Sequence, residues 1–434
     1  MNKIVYPNKM PRMVYANAAG EIIDIPDLEM AGRSGTAFFR PQLSELIPLP
    51  EGSELFVLPD RFPVGIDPVN GAPMSVVEDP YHPGTPARAV AAFIAPAHTA
   101  IYTAAYEKMK RDAAILPLFA YTAVGWHDGR FWVTAFRSDP DPRQDADQFN
   151  ARTIKTKTNR QLRKFPHNRL IQHLGKCCLT YGCPAARNYF LGRWEAPLPT
   201  SPHCNADCVG CISLQVSGCC PATQDRITFI PTSDEIVETA LPHLAGAPRP
   251  IVSFGQGCEG EPLLQAKVIE QAIRTIRRQT TQGTINLNTN ASLPGRVERL
   301  ARAGLDSMRV SLNSARPETY RRYYRPKGFS FNEVKESILV MKRHKKFVSL
   351  NYFILPGFTD DPRETTAFFD LVEDCRPDLV QLRNLNMDPD WYLEAVRHKA
   401  RRAPLGVLSW LERVKKNFPF LKFGYFNPYL GATT

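Results

Sequence analysis

The sequence predicts an α/β chain whose second half alternates short strands with amphipathic helices, preceded by a β-rich, proline-punctuated region that reads as a small α+β accessory domain. Three observations carry this. Apolar, β-branched runs recur at 251–255, 284–290, 307–313, 347–355 and 379–385. Between them lie helical stripes, with Leu264, Val268, Ile269, Ala272, Ile273 and Ile276 on one face and Val334, Ile338, Leu339 and Met341 on another. Each run also ends in glycine or a small polar residue: Gly255, Asn290, Asn313, Pro356-Gly357 and Asn386. Strand–helix units of this length build a parallel sheet, open or curled into a barrel, with its ligand site at the carboxyl ends of the strands.

Taken in order, residues 1–150 form the accessory domain. In "LPLFAYTAVGWHDGRFWVTAFRSD", Asp128-Gly129 separates two aromatic-rich runs and predicts a tight hairpin. The segment "AAFIAPAHTAIYTAAYEKMKRD" reads as partly helical. Residues 151–190 form a connector, in which "IKTKTNRQLRKFPHNR" (154–169) holds six basic residues and no acid. A solvated helix and an RNA- or phosphate-binding linker both fit that pattern. Residues 191–434 hold the strand–helix units and a C-terminal extension. Thr232, three residues before Glu235, has the capping-box spacing that starts a helix.

The 434 residues are 43% hydrophobic and 22% charged, ordinary for a folded chain of more than one domain, and no run is long and apolar enough to span a membrane. The N-terminus lacks an apolar signal core, which leads us to expect a cytoplasmic protein. A net charge of +11 leans toward an anionic partner. Nine of the ten cysteines fall between residues 177 and 258, which argues for metal or redox chemistry rather than a disulfide framework.

"SPHCNADCVGCISLQ" places Cys204, Cys208 and Cys211 within eight residues. Three thiolates from one loop can hold three corners of a 4Fe-4S cluster and leave the fourth iron open to a small molecule. A zinc knot completed by Cys219 or Cys220, or a closed electron-transfer cluster, remains open on the cysteines alone. Cys-x3-Cys-x2-Cys, followed by "FGQGCEGEP", "NTNAS" and "RVSLNS", resembles the radical S-adenosylmethionine (radical SAM) superfamily over roughly residues 194–390.

The resemblance implies a partial, TIM-like barrel of six βα units and an enzyme that cleaves S-adenosylmethionine reductively to a 5'-deoxyadenosyl radical for hydrogen abstraction. It implies Cys204, Cys208 and Cys211 as cluster ligands. Gly260, Glu261 and Pro262, within "EGEP", would serve the methionine amino group, and Asn290, Ser311 and Asn313 the rest of the cofactor. Gly210 stands where the family often has an aromatic residue, leaving adenine packing to Ile212 or Leu214. The expected first strand, "WEAPLPTSPH", carries three prolines, which only an edge strand tolerates.

Cys177, Cys178, Cys183, Cys219, Cys220 and Cys258 suggest a possible second iron–sulfur cluster, for instance from Cys178, Cys183, Cys220 and Cys258; buried free thiols are the simpler account. The substrate is a small molecule, a peptide or RNA. Basic clusters at 321–327 and 397–402 motivate the RNA reading, and Arg383 could face an anionic substrate. The resemblance also implies an electron donor such as flavodoxin or ferredoxin. A non-enzymatic iron–sulfur or zinc protein that binds nucleic acid is the alternative of a different class.

Overall fold

The strands expected between residues 251 and 385 form one parallel sheet in the structure, a computed structural model that describes residues 6–215, 218 and 220–431. Its seven strands, Glu195–Pro197, Ile251–Phe254, Thr284–Thr289, Ser307–Leu312, Phe347–Ile354, Leu379–Asn384 and Lys422–Gly424, lie in sequence order. Five of them match the expected runs to within about a residue. The proline-bearing first strand is an edge, hydrogen-bonded only to the second, where missing amide donors cost least.

Along each central strand, polar and apolar residues alternate. Ile285 and Leu287, Met308 and Val310, and Val348 and Leu350 are all fully buried on one face. The other face carries Asn286, Asn288, Ser307, Arg309, Ser311, Ser349 and Asn351, aligned across strands by the registers Asn286↔Ser307, Asn288↔Arg309↔Ser349 and Ser311↔Asn351. This polar face is knitted by side chains: Asn286 donates to Ser253 at 3.2 Å, and Ser307 donates to Asn286 at 2.8 Å. Beyond the last strand, Asn427 donates to Glu195 on the first strand and accepts from Gln381 on the sixth, at 2.7 and 3.0 Å. The sheet thus curls about a polar interior.

Helices α1 (Ala151–Lys164), α2 (Arg169–Leu179) and α3 (Pro184–Leu191) precede the first strand, followed by α4 (Ser233–Gly246), α5 (Ala266–Gln279), α6 (Pro294–Ala303), α7 (Pro317–Tyr324) and α8 (Phe331–Arg343). The capping box opens α4 as expected, with Thr232 accepting from the Glu235 amide and Glu235 from the Thr232 amide. On α5, Ile269, Ala272, Ile273 and Ile276 are fully buried, and each such isoleucine contributes roughly 1.5–3 kcal/mol of burial.

The chain divides into two compact units. One comprises residues 141–352, 370–381 and 420–434; the other comprises 1–140 with 353–369 and 382–419. In the latter, eleven strands form an antiparallel sheet with a three-stranded companion. The hairpin forms at Asp128-Gly129, with φ of 50° and 71° and His127 opposite Arg130. The segment expected to be partly helical is instead strands Arg88–Phe93, His98–Ala100, Thr103–Ala104 and Tyr106–Lys108. Its alanines suit a helix, but pairing with Glu54–Leu58 buries Ala91 and Ala92 completely, and tertiary burial overrides propensity.

The same unit holds a buried ion pair. Arg61 donates to Asp388 at 2.7 Å and to the Pro59 carbonyl at 2.8 Å, and the Leu116 amide donates to Asp388 at 3.1 Å. Arg61 and Arg33 lie against the Tyr106 ring, 5.3 and 4.9 Å from its centroid, and Arg33 pairs with Asp390. Removing one partner of such a pair strands a charge in low dielectric. Asp388→Ala should therefore cost about 3–5 kcal/mol, read as a lower urea midpoint, while the double replacement Arg61→Met with Asp388→Leu should recover much of that loss. A single variant as stable as the parent would contradict it.

Candidate functional site

The cysteine loop leaves the first strand and is pinned from two sides by main-chain hydrogen bonds. Asp207 and Val209 donate to the carbonyls of Tyr324 and Tyr323, both at 3.0 Å, and Lys327 donates to the Asn205 carbonyl at 2.8 Å. From the loop after the second strand, the amides of Gly260 and Glu261 donate to the carbonyls of Ser201 and His203 at 2.7 and 2.8 Å. A Cβ on residue 260 would lie 2.0 Å from the His203 oxygen, so only glycine permits this approach. The glycine of "EGEP" is thus committed to the cysteine loop itself.

Two buried glutamates fasten the same junction. Glu259 accepts from the amides of Thr200, Ser201, Gly255 and Gln256 and from the Thr200 hydroxyl, at 2.6–3.1 Å. Glu261 accepts from the amides of Leu263 and Asn290 and from the Thr289 hydroxyl. Burial pushes both carboxyls up to about 7, and the hydrogen bonds from backbone amides oppose that rise. Pro262 is buried and opens a short helical turn. Asn290 serves the junction too: its side chain donates to Asn205 at 2.9 Å and accepts from the Ser292 amide at 3.0 Å.

Cys204, Cys208 and Cys211 are all partly buried. Burial, joined by the charge of Glu261, raises the Cys204 thiol to about 11, and burial with the two neighbouring thiols raises Cys208 well above its ordinary value. Metal binding at this loop must therefore displace protons. Arg226 donates to the Cys211 sulfur at 3.4 Å and to the Ser213 hydroxyl at 3.1 Å, placing a guanidinium on one corner. Tyr320 is fully buried, stacked on Tyr324 at 4.5 Å, and its hydroxyl has no hydrogen-bond partner among the described residues. Its electrostatic neighbours are Cys208, Glu261 and Cys204, which with burial push its ionisation up. Three thiols on one loop, a guanidinium at one sulfur and an unsatisfied buried hydroxyl beside them suit a thiolate-ligated cluster, which accepts hydrogen bonds at its sulfurs.

Ser311 is half-buried at the end of the fourth strand, next in register to Asn351, whose buried Oδ1 has no hydrogen-bond partner among the described residues. Asn313 is fully buried just beyond. Ile212 packs toward Gly257, whereas Leu214 is 48% exposed. Arg383 is half-buried near the end of the sixth strand. Sequence reasoning missed Arg226, Tyr320, Glu259 as a strap, and Arg309. The signal for Arg309 was its place between Ser307 and Ser311 in strict alternation.

The remaining cysteines separate. Cys178 lies 3.4 Å from the Thr158 hydroxyl of α1. Its neighbour Cys177 stands instead with His173 and Cys258, their donor atoms all within 4.8 Å of one another. The hydrogen bond between the two thiols holds Cys177 below the ordinary range and Cys258 above it. Cys220 is buried, and Cys219 lies outside the described residues.

A loop of three clustered cysteines at the carboxyl edge of a curled parallel sheet defines a class of cofactor-dependent barrel. Residues 198–369 match the Radical SAM superfamily model, a superfamily of enzymes whose cofactors are a 4Fe-4S cluster and S-adenosylmethionine. The chain is 28% identical over 171 residues to the GTP 3',8-cyclase of Lactiplantibacillus plantarum, covering 38% of this chain and 46% of that one. It is also 28% identical over 165 residues to the GTP 3',8-cyclase of Limosilactobacillus fermentum, covering 36% and 45%. It thus spans less than half the length of these relatives. Among solved structures, similar folds include the FeFe-hydrogenase maturase HydG of Carboxydothermus hydrogenoformans (14% identity, 63% of this chain and 70% of that one, TM-score 0.36). Another is methylornithine synthase PylB (14% identity, 62% and 73%, TM-score 0.38). No helix among the described residues is long and apolar enough to cross a membrane.

The Gly260 contact can be tested against a neutral glycine. Gly260→Ala should push the two loops apart and lower the iron retained after anaerobic reconstitution several-fold. Gly295→Ala, where a Cβ meets nothing within 4 Å, should leave it unchanged. Equal iron in both variants would show that the close approach is dispensable.

Proposed function

We propose that the protein is a radical SAM enzyme in which Cys204, Cys208 and Cys211 hold the 4Fe-4S cluster and the polar strand ends hold S-adenosylmethionine and a small polar substrate. The observation that carries this is the cysteine loop fastened by Gly260, Glu259 and Glu261 beside a polar sheet face. When bound, the cluster supplies one electron to split the sulfonium into methionine and a 5'-deoxyadenosyl radical.

The chain's own residues then have definable work. Glu259, Glu261 and Asn290 fix the loop through main-chain and side-chain hydrogen bonds, so their role is to position the ligands. Arg226 and Tyr320 offer donors at the thiolates. Ser311 and the open acceptor of Asn351 supply directional polar contacts at the carboxyl ends of the strands. Arg309, half-buried between Asn288 and Ser349, places positive charge on the same face and suits an anionic group. That agrees with relatives named for a nucleotide, GTP. An external one-electron donor such as flavodoxin or ferredoxin completes the scheme.

The RNA reading gains less support, because several of its basic residues are engaged within the molecule: Arg321 and Arg322 with Glu318, Lys327 with Asp207, and Arg169 with Glu235. Anaerobic protein given dithionite and S-adenosylmethionine should release 5'-deoxyadenosine, and Cys204→Ala, Cys208→Ala or Cys211→Ala should each abolish it. The electron paramagnetic resonance spectrum of the reduced cluster should change when S-adenosylmethionine is added; an unchanged spectrum together with no product would overturn the reading.

A further inference from the structure

We infer that His173, Cys177 and Cys258 form a second metal site, for a single zinc-type divalent ion, with Cys183 assigned to the fourth position. His173 and Cys177 stand one turn apart on α2, the spacing that puts both side chains on one face, and the Cys177 sulfur is 3.5 Å from His173 Nε2. Cys258 reaches them from the loop after the second strand, its own carbonyl accepting from the Ile227 amide at 2.7 Å. The Cys183 amide donates to the Cys177 carbonyl at 3.0 Å, which brings a further thiol to the N-terminus of α3 beside them.

The spacing selects the metal class. Ligand atoms bound at the corners of a zinc tetrahedron, with bonds of about 2.0–2.3 Å, stand roughly 3.3–3.8 Å apart. Donors all within 4.8 Å of one another already approach that geometry. Cysteines around an iron–sulfur cube each bind a different iron and stand farther apart. Two thiols and an imidazole are also the mixed donor set that zinc accepts in closed, structural sites. The suggested set of Cys178, Cys183, Cys220 and Cys258 leaves out His173 and Cys177, whose donor atoms stand with that of Cys258.

The site's position indicates what it does. Cys258 immediately precedes Glu259 and Gly260, the residues that fasten the cysteine loop. An ion bound there ties α2 to that junction, and binding releases the thiol protons. Its role is structural, one step removed from the cofactor loop.

The test is metal analysis of the full chain purified anaerobically, followed by cobalt(II) substitution. About one zinc per chain should accompany about four irons. Cys177→Ala, His173→Ala and Cys258→Ala should each lose the zinc while keeping the iron. In the unmutated chain, cobalt(II) should give the absorption of a thiolate-bound tetrahedral ion, weakened in Cys183→Ser, which keeps the proposal open to refutation even if an alanine variant misfolds. About eight irons without zinc would make this an iron–sulfur site and overturn the proposal. So would zinc that survives all three replacements, or no metal beyond the four irons. These readings do not depend on 5'-deoxyadenosine formation, which reports on the other cysteines.

Discussion

The close approach of Gly260 to the His203 carbonyl is the constraint on which the rest of the site depends. The cysteine loop has almost no regular structure of its own, so its shape must be imposed by neighbours. Two amides from the "EGEP" turn bind its carbonyls on one side, and residues at the end of α7 pin it on the other. A side chain at residue 260 would separate the first contact. Glu259 and Glu261 then act as opposed straps, one reaching back to residues 200–201 and the other forward to residues 289–290. Buried carboxylates are expensive unless saturated with donors, and both of these are supplied chiefly by backbone amides. Loop order is thereby bought with polar groups that also fix the ends of the first three strands.

The second organising feature is the split between the two faces of the parallel sheet. Its apolar face packs on helices and stabilises the fold in the usual way. Its polar face would be costly if left unpaired, and the structure satisfies much of it internally, through Ser253, Asn286 and Ser307 toward one end and Asn427 across the interior. Toward the carboxyl ends the pairing becomes less complete, as the Asn351 oxygen shows. Polarity is thus retained along the interior while hydrogen-bonding capacity is released at the end where ligands of such sheets bind.

Much of this was legible in the sequence, and the failures have physical causes. Strand positions followed from local β-branched runs, and the proline-rich first strand from the cost of missing amides. The polar face was visible as strict alternation in "TINLNTN" and "MRVSLN", yet short apolar runs in a parallel sheet are read first for their buried residues. Long-range partners were not legible: nothing near Glu259 announces residues 200–201, and Tyr320 stands one residue before the segment noted for its arginines. In the doublet Cys177-Cys178, adjacent residues on a helix point about 100° apart, so only packing decides which thiol faces Cys258. The i, i+4 pairing of His173 with Cys177 was the one local hint. The alanine-rich stretch near residue 92 misled because its small side chains suit close strand packing as well as a helix.

Charge explains why these separate devices belong together. Burial, the neighbouring thiols and the Glu261 carboxylate all disfavour negative charge in this partly buried pocket, and the Cys204 and Cys208 thiols are raised in the chain alone. A bound cluster core is cationic and reverses that balance, holding the thiolates ionised. Arg226 and the unsatisfied hydroxyl of Tyr320 are donors that can act on sulfur once charge resides there. Hydrogen bonds to cluster sulfurs favour the more negative, reduced state, whereas the nearby Glu261 carboxylate opposes it. In the proposed site two donors and a carboxylate strap would thus act on the cluster's potential in opposite directions, and the glutamate that orders the loop would limit how readily an electron could be placed there.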